Sequence, residues 1–173
     1  KPDLLVLEKS VKSLVDQALK DWEAVFVLDG PCEEAEQLIN RLMRKGKNAY
    51  QILVIEHGGA PKARNAGFEK SKGDIVCFWD SDCLIEPGAS RMWSDVFSRS
   101  PEIQFVYSGY KFFGEVGAID SEPFDPYLLR VRNFISTCFP VRREVCAKWS
   151  EDLESLQDWD FWLSVVEKCH EKG

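Results

Sequence analysis

The sequence predicts an α/β protein in which a mostly parallel sheet is flanked by helices. Short apolar runs alternate with stretches of helical spacing along the first half of the chain, which is the order of elements in a parallel sheet with right-handed crossovers. The stretch 73–82, GDIVCFWDSD, contains a continuous apolar run typical of a strand that is buried on both faces. The length of 173 residues is enough for a single domain with a full core.

In the first half of the chain, four apolar runs of strand length alternate with three stretches of helical character. The predicted strands are residues 4–7, 24–28, 51–55 and 75–79. The predicted helices are residues 10–20, 33–45 and about 61–71. The first helix is indicated by apolar residues at helical spacing, and the second by acids that precede bases, as the helix dipole favours.

The second half of the chain carries weaker patterns. After Pro87 and Gly88 we expect a helix to about residue 98, then a strand at 103–107 with which residues 110–113 pair. The segment 114–126 is rich in Gly, Pro and acids and is predicted as a surface loop. The remaining predicted elements are a helix at 128–134, a short strand at 136–141, a short helix at 142–149 and a last helix from about residue 158.

Composition and charge narrow the function classes. A net charge of −7 argues against a nucleic-acid-binding surface, and no apolar run approaches the length of a membrane span. The six cysteines form neither a CxxC pair nor a cluster with histidine, so the sequence predicts no zinc site. We therefore expect reduced thiols and a cytoplasmic protein, either free or peripheral to a membrane.

Two carboxylates follow the central apolar run directly. Asp80 and Asp82 are separated only by Ser81, and in extended backbone residues i and i+2 point to the same side. Both would then face one point beyond the end of the strand, where open α/β sheets bind their ligands. Two hard oxygen donors at that point suit Mn²⁺ or Mg²⁺. For an Asp-x-Asp pair alone, a solvated acidic turn is the alternative.

Further charged side chains fall at the same predicted edge of the sheet. Asp29 ends the second predicted strand, Lys62 and Arg64 lie in the first turn of the helix after the third, and Asp158 opens the last helix. Each has a structural alternative. In that alternative Asp29 is simply a turn residue, Lys62 and Arg64 are solvated charges on a helix, and Asp158 is a helix N-cap.

Several other residues are predicted to be structural or solvated. The tryptophans Trp79 and Trp93 are expected in the core, although aromatic rings can also stack on sugars. His57 is expected to be a surface loop residue. The pair Arg142-Arg143 is expected to be a solvated helix start.

The segment 58–89 resembles the central block of the family 2 glycosyltransferases, which have the GT-A fold. Ala63-Arg64-Asn65, Gly73-Asp74 and Asp80-Ser81-Asp82 match the family's motifs in order and spacing. Three more segments resemble family segments: VFVLDG ending at Gly30, FDPYLLRVRNFI at 124–135 and QDWDFWL at 157–163. The resemblance implies one GT-A-like domain over 1–173, with a nucleotide-sugar-binding half at 1–107 and an acceptor-side half at 108–173.

The resemblance also implies a reaction, an inverting transfer of a sugar from a nucleotide-diphosphate donor, UDP-linked by preference, to a saccharide or lipid-linked acceptor. On the donor side it implies that Asp29 contacts the nucleotide base and that Asp82, with Asp80 beside it, holds Mn²⁺ or Mg²⁺. Lys62 and Arg64 would add positive charge near the phosphates.

On the acceptor side, the resemblance implies that Asp158 is the catalytic base, with Asp160 as the alternative. Two departures from the family pattern stand out. Residues 4–9, LLVLEK, lack the turn that cradles the base in the family, and Gln157 stands where an acid is common. The late motif also lies close to Gly173, so an acceptor-binding segment is expected to be short or missing.

Two other classes of function remain open. A sugar nucleotidyltransferase also uses an α/β sheet and a carboxylate-bound metal, but it opens with a Gly-rich loop, and residues 1–12 contain no Gly. A degenerate or fragmentary nucleotide-sugar-binding module would bind the nucleotide without transferring sugar.

Overall fold

The computed structural model describes residues 2–46, 48–112 and 118–172. Its elements follow the predicted alternation from residue 23 to residue 99. They are α1 Leu4–Val15, β1 Glu23–Asp29, α2 Glu33–Met43, β2 Ala49–Ile55, α3 Gly59–Lys70, β3 Ile75–Cys77, α4 Ala89–Arg99, β4 Tyr110–Lys111, β5 Ala118–Ile119, α5 Pro126–Leu129, β6 Pro140–Arg142 and α6 Gln157–Glu171, with a 3-10 turn at Arg143–Val145.

The first apolar run is helical, so the prediction of a strand at 4–7 is wrong. Asp3 caps the helix, because its carboxylate accepts hydrogen bonds from the backbone N–H groups of Leu5 at 2.8 Å and Val6 at 3.2 Å. Leu7 and Val11, four residues apart, are buried against α2. A run of four apolar residues fits a strand and a buried helix equally well, and here the cap and the packing decide.

In the part of the chain that the structure describes, the strands form three separate pairs. β1 and β2 are parallel over seven residues, from Glu23 opposite Ala49 to Asp29 opposite Ile55. β3 and β6 are antiparallel, with Cys77 opposite Pro140. The first pair brings Asp29 to the carboxyl edge beside the start of α3, and the second brings the chain before β6 beside the end of β3.

The second half departs from prediction in several places. The predicted strand at 103–107 is reduced to one isolated bridge, between Phe105 and Val141. Tyr110 pairs instead with Ile119, which lies inside the segment predicted as a loop. Residues 113–117, including Phe113 and the first part of that predicted loop, lie outside the described residues. The helix predicted at 142–149 is only the 3-10 turn, and the one at 128–134 is the short α5.

The reason for the displaced α5 is local. Asp125 caps it by accepting from the backbone N–H groups of Tyr127 and Leu128, and Pro126 occupies its first turn. Helix start signals therefore lie two residues before the apolar run that suggested the element.

Two groups of buried side chains hold the fold. The first joins α1, α2, β1 and β2. The second is aromatic: Phe161 stacks on Trp149 with ring centroids 4.3 Å apart, and Phe78 meets both rings edge-on at 5.3 Å and 5.2 Å. This second core fixes the start of α6 and the segment around Trp149 beneath the end of β3.

Within the described residues, no helix combines the length and the apolar character needed to cross a bilayer. All six cysteines are free.

Candidate active site

Arg64 and Asp80 form an ion pair at the end of β3. The Arg64 Nη2 lies 2.7 Å from the Asp80 Oδ1, and the Arg64 guanidinium stacks over the Trp149 ring, 4.3 Å from its centroid. The Arg64 side chain is only 16% exposed, so it is not a solvated helix-face charge. Stacking and pairing together hold one positive charge at a defined place beside the Asp-x-Asp segment.

Asn65 fixes the platform under Arg64. Its amide donates to the Trp149 carbonyl at 2.9 Å and accepts from the Trp149 N–H at 2.9 Å, and it donates further to the Glu151 Oε1 at 2.8 Å. The residue is 6% exposed. The sequence predicted Asn65 as part of a family motif but predicted no role for it. A polar side chain that becomes buried needs hydrogen-bond partners, and these partners are visible only in the structure.

Asp29 organises the turn that starts α3. Its Oδ1 accepts from the Gly58 N–H at 2.8 Å, its Oδ2 accepts from the Gly59 N–H at 3.0 Å, and the His57 Nδ1 lies 2.8 Å from the Oδ2. Partial burial would raise the pKa of the Asp29 carboxyl, but the bonds from Gly58, Gly59 and His57 together hold this pKa below its usual value. His57 is exposed, as expected, and pairs with Asp29.

Lys62 lies against this turn. A Cβ built on Gly58 would collide with the Lys62 Cδ, so the side chain passes directly over the glycine. Among the residues that the structure describes, Lys62 forms no ion pair. Lys62 is half-buried, and we expect its ammonium group to be available to an anion at the start of α3.

Residues 80–83 form a turn, so the extended backbone assumed for Asp80 and Asp82 is wrong. The Cys83 N–H donates to the Asp80 carbonyl at 3.0 Å, which closes the turn. Asp80 is half-buried, whereas Asp82 is exposed. The two carboxylates therefore have different surroundings, and only Asp80 is paired with Arg64.

The turn also brings two thiols to Asp80. The Asp80 N–H donates to the Cys138 Sγ at 3.4 Å, and the sulfurs of Cys138 and Cys83 lie within 4.8 Å of each other. The neighbouring Cys138 thiol lowers the pKa of Cys83 against the opposing effect of burial, and the neighbouring Cys83 thiol raises the pKa of Cys138 together with burial. The sequence placed these cysteines 55 positions apart and gave no sign of their contact.

Asp158 lies in the first turn of α6 and lines a pocket of about 200 Å³ that Arg64 also lines. Its Oδ2 accepts from the Asn133 Nδ2 at 2.7 Å, and its Oδ1 accepts from the Trp159 N–H at 3.0 Å. The N-cap position is Leu156, so the interpretation of Asp158 as the cap is wrong. The lining residues are Arg64, Thr137, Glu154, Ser155, Leu156, Gln157 and Asp158.

Asp160 does not line this pocket. Its backbone N–H donates to the Leu156 carbonyl at 3.1 Å and closes the first turn of the helix. A larger groove of about 610 Å³ runs along α4, but none of the predicted site residues lines it.

The two adjacent arginines are structural, so the prediction of a solvated pair is wrong. Arg143 donates to the Gly73 carbonyl at 2.7 Å and to the Ser71 Oγ at 2.6 Å. Arg142 donates to the carbonyls of Ile103 and Phe97, both at 2.8 Å. These bonds join β6 to the segments on either side of it.

The two tryptophans do not face the pocket. Trp79 donates from its indole N–H to the Ser10 Oγ at 3.1 Å, and Trp93 packs against the aromatic core. Neither ring lines the pocket that holds Asp158.

Comparison with known proteins gives one family. A sequence profile described as glycosyl transferase family 2 matches residues 4–149, a range that includes Arg64, Asp80 and Asp82 and ends before Asp158. An uncharacterized glycosyltransferase of Methanocaldococcus jannaschii is 24% identical over 173 residues, covering 92% of this chain and 59% of the relative.

Solved structures agree on the fold. TarS of S. aureus, residues 1–349, superposes with a TM-score of 0.80 at 18% identity, over 92% of this chain and 51% of that chain. The mannosyltransferase PcManGT of Pyrobaculum calidifontis, solved in complex with GDP-Man and Mn²⁺, has a TM-score of 0.71 at 16% identity, over 94% of this chain and 48% of that chain. These similarities confirm the predicted GT-A fold, and this chain spans about half the length of the two solved chains.

Proposed function

The chain belongs to glycosyltransferase family 2, and from that premise we propose that it transfers a sugar, with inversion, from a nucleotide-diphosphate donor to an acceptor hydroxyl. The observation that carries this proposal is the shared pocket of Arg64 and Asp158. A fixed cation and a carboxylate that face one space are the groups that a sugar transfer needs, one for the departing diphosphate and one for the acceptor proton.

The proposal divides the domain by role. Residues 1–107 bind the donor and 108–173 contribute the acceptor side. Arg64, in α3, comes from the first part, and Asp158, in α6, comes from the second. The pocket thus lies where the two parts meet.

On the donor side, the Arg64 guanidinium binds the diphosphate and Lys62 adds charge from the start of α3. Arg64 is already oriented by Trp149 and Asp80, so little conformational entropy is lost when an anion binds. Asp29 accepts from the nucleotide base at the end of β1. Its carboxylate is held ionised by its bonds to the turn, which suits it as an acceptor.

The residues present fit a hard divalent cation. Asp82 is exposed, and among the described residues the Asp80 Oδ2 has no hydrogen-bond donor, so Asp82 and Asp80 together offer oxygens to Mn²⁺ or Mg²⁺. When bound, the ion supplies Lewis-acid stabilisation of the charge that develops on the leaving diphosphate. The complex of PcManGT with GDP-Man and Mn²⁺ supports this assignment.

Asp158 removes the proton from the acceptor hydroxyl. Asn133 donates to the Asp158 Oδ2, and this bond orients the carboxylate. Each carboxylate oxygen can accept more than one hydrogen bond, so the carboxylate can still accept the proton of the acceptor hydroxyl. The acceptor is a saccharide or a lipid-linked molecule. We also propose a cytoplasmic location, free or peripheral to a membrane, which the six free thiols support.

Calorimetric titration of UDP and of GDP, each with Mn²⁺ and then with EDTA, tests the donor site. We expect UDP to bind in the presence of Mn²⁺, and we expect binding to be lost with EDTA and in Asp82→Ala. Asp21→Ala, which removes an exposed carboxylate away from the site, is the matched control and should bind like wild type.

The outcomes separate the alternatives. Tighter binding of GDP than of UDP would change the proposed donor from a UDP-sugar to a GDP-sugar and would leave the proposed sugar transfer unchanged. Metal-dependent binding without transfer to any acceptor would indicate a binding module. Turnover of a sugar phosphate with a nucleoside triphosphate would indicate a nucleotidyltransferase. Absence of nucleotide binding under every condition would contradict the proposed donor site.

A further inference from the structure

We propose that Asp80, Cys83 and Cys138 form a binding site for a thiophilic divalent cation such as Zn²⁺. The carboxylate oxygen and the two sulfurs all lie within 4.8 Å of one another. This donor set differs from the oxygen-only pair of Asp80 and Asp82, because thiolates select soft or borderline cations whereas Mn²⁺ and Mg²⁺ prefer oxygen. The site does not depend on the proposed sugar transfer.

The spacing of the three ligand atoms suits tetrahedral coordination. With Zn–S bonds of about 2.3 Å, two sulfurs in a tetrahedral site lie about 3.7 Å apart. From separations of at most 4.8 Å, closure requires movements of about an ångström or less. Such movements need no change in secondary structure, because Cys83 lies in a turn and Cys138 precedes β6.

The fold fixes both arms of the site. Cys77 lies opposite Pro140 in the β3–β6 pair, which places Cys138 beside the chain that leaves β3. On the other arm, the hydrogen bond from the Cys83 N–H to the Asp80 carbonyl turns the Cys83 side chain back toward Asp80. The site is therefore positioned by a sheet register and a closed turn rather than by mobile side chains alone.

Burial leaves the site accessible on one side. Cys138 is 9% exposed, whereas the Asp80 side chain is 34% exposed. Arg64 occupies the Asp80 Oδ1, so the Oδ2 can bind a cation while the ion pair persists. Three protein ligands with a fourth open position are typical of zinc sites that accept an external ligand, and the Asp82 Oδ1, 4.0 Å from the Cys83 Sγ, is near enough to compete for that position.

Shared use of Asp80 has a consequence that rests on the proposed function. A thiophilic cation held by Asp80 and the two cysteines withdraws one of the two carboxylates proposed for Mn²⁺ or Mg²⁺. Zn²⁺ is then expected to oppose nucleotide binding that depends on Mn²⁺. The binding experiment below does not use nucleotide or activity, so its outcome is independent of the donor-site test.

Titration of the reduced full chain with Co²⁺ tests the site. We expect one Co²⁺ per chain, a sulfur-to-cobalt charge-transfer band in the near ultraviolet, and loss of the band when Zn²⁺ is added. Cys83→Ser and Cys138→Ser should each weaken Co²⁺ binding at least about 10-fold and reduce the charge-transfer band. Cys169→Ser, which removes a half-buried thiol outside the cluster, is the matched control and should retain the full band.

Cys138 is buried, so its variant is compared with wild type by circular dichroism before titration. Cys83 is half-buried in a turn, and its variant provides the decisive test if Cys138→Ser does not fold. A wild-type protein without the charge-transfer band at saturating Co²⁺, or a Cys83→Ser protein that retains the full band, would overturn the proposal.

Discussion

Arg64 shows how a single side chain acquires a functional position. On sequence alone it was one of two cations in a helical turn, and the structure distinguishes them. Arg64 stacks on Trp149 and pairs with Asp80, whereas Lys62 lies over Gly58 without an ion pair in the described part of the chain. A planar guanidinium can stack and pair at once, which a lysine ammonium cannot do.

Asp158 and Asp160 give the sharpest prediction at this scale. Asp158→Asn keeps the size of the side chain but removes its capacity to take a proton, so turnover should fall by about 100-fold to 10,000-fold. The KM for the donor should change little, because the proposed donor contacts lie on Arg64, Asp80 and Asp82. Steady-state kinetics with the identified donor and acceptor measure both constants.

The matched control for that prediction is Asp160→Asn, which alters a carboxylate outside the pocket. It should retain turnover within a few-fold of wild type. If Asp160→Asn lost activity and Asp158→Asn kept it, the assignment of the base would pass to Asp160.

Asp29 gives a prediction about pH. Its pKa is lowered in the folded protein, so the ionised carboxylate stabilises the fold above the unfolded-state pKa of about 3.9, and this contribution is lost as pH falls through the lower folded-state value. Asp29→Asn should therefore lower the free energy of unfolding at neutral pH and reduce its dependence on pH below about 4.

Denaturant unfolding of wild type, Asp29→Asn and the exposed-site control Asp21→Asn between neutral and acidic pH would measure this effect. A difference between wild type and Asp29→Asn that stays constant as pH falls below the folded-state pKa would contradict the assigned role of the carboxylate charge.

At the scale of elements, the site depends on how α3 is joined to the chain before α6. Asn65 makes this connection through three hydrogen bonds to Trp149 and Glu151. Trp149 in turn is held by stacking on Phe161 of α6. One amide therefore couples the helix that carries Arg64 to the helix that carries Asp158.

Asn65→Ala should lower the free energy of unfolding by about 2 to 3 kcal/mol, because it leaves the buried N–H and carbonyl of Trp149 without partners. It should also lower nucleotide affinity by releasing the platform beneath Arg64. Urea unfolding and calorimetry measure the two effects.

Gln51→Ala is the control for that substitution, because the Gln51 amide makes one exposed bond, to the Lys70 carbonyl at 3.2 Å. Its effect on the free energy of unfolding should stay within about 0.5 kcal/mol. An equal effect of the two substitutions would show that the buried amide has no special role.

Elements also show where sequence patterns succeed and where they fail. The predicted strands at 24–28 and 51–55 correspond to β1 and β2. Continuous apolar runs of five residues, placed between helices along the chain, are typical of the buried strands of a parallel sheet. The run at 4–7 is equally apolar but forms part of α1, because Asp3 caps it and α2 supplies a surface for its buried face. Burial against a partner, which local sequence does not encode, separates the two outcomes.

At the scale of the whole molecule, two groups of buried side chains in the described residues support the elements that carry the site. The α1–α2 core supports β1 and Asp29, and the aromatic core supports Asp80, Trp149 and the start of α6. α1 bridges the two parts, since Ser10 accepts from Trp79 and Ser13 accepts from the Ile85 N–H. The proposed contact of Asp29 with the donor and the proposed acceptor contact of Asp158 are thus supported by separate cores.

The sequence by itself determined the α/β class, the family resemblance and the position of Asp29 at the end of a strand. It also predicted that Arg64, Asp80 and Asp82 lie at strand ends or helix starts, but Arg64 lies in the second turn of α3 and Asp80 lies three residues beyond β3. These properties follow from local periodicity, turn residues and motif spacing. Each of these signals lies within a short stretch of the chain and can be recognised without knowing the tertiary contacts.

Only the tertiary structure decided which side chains meet. The contact of Asn65 with Trp149 joins positions 84 residues apart, and that of Asp80 with Cys138 joins positions 58 apart. Such contacts depend on the β3–β6 register and on the packing of aromatic rings, and a shift of either would move the same residues apart without changing any local pattern. For this reason the sequence predicted no zinc site, whereas the folded chain places two thiols beside the first carboxylate of the motif.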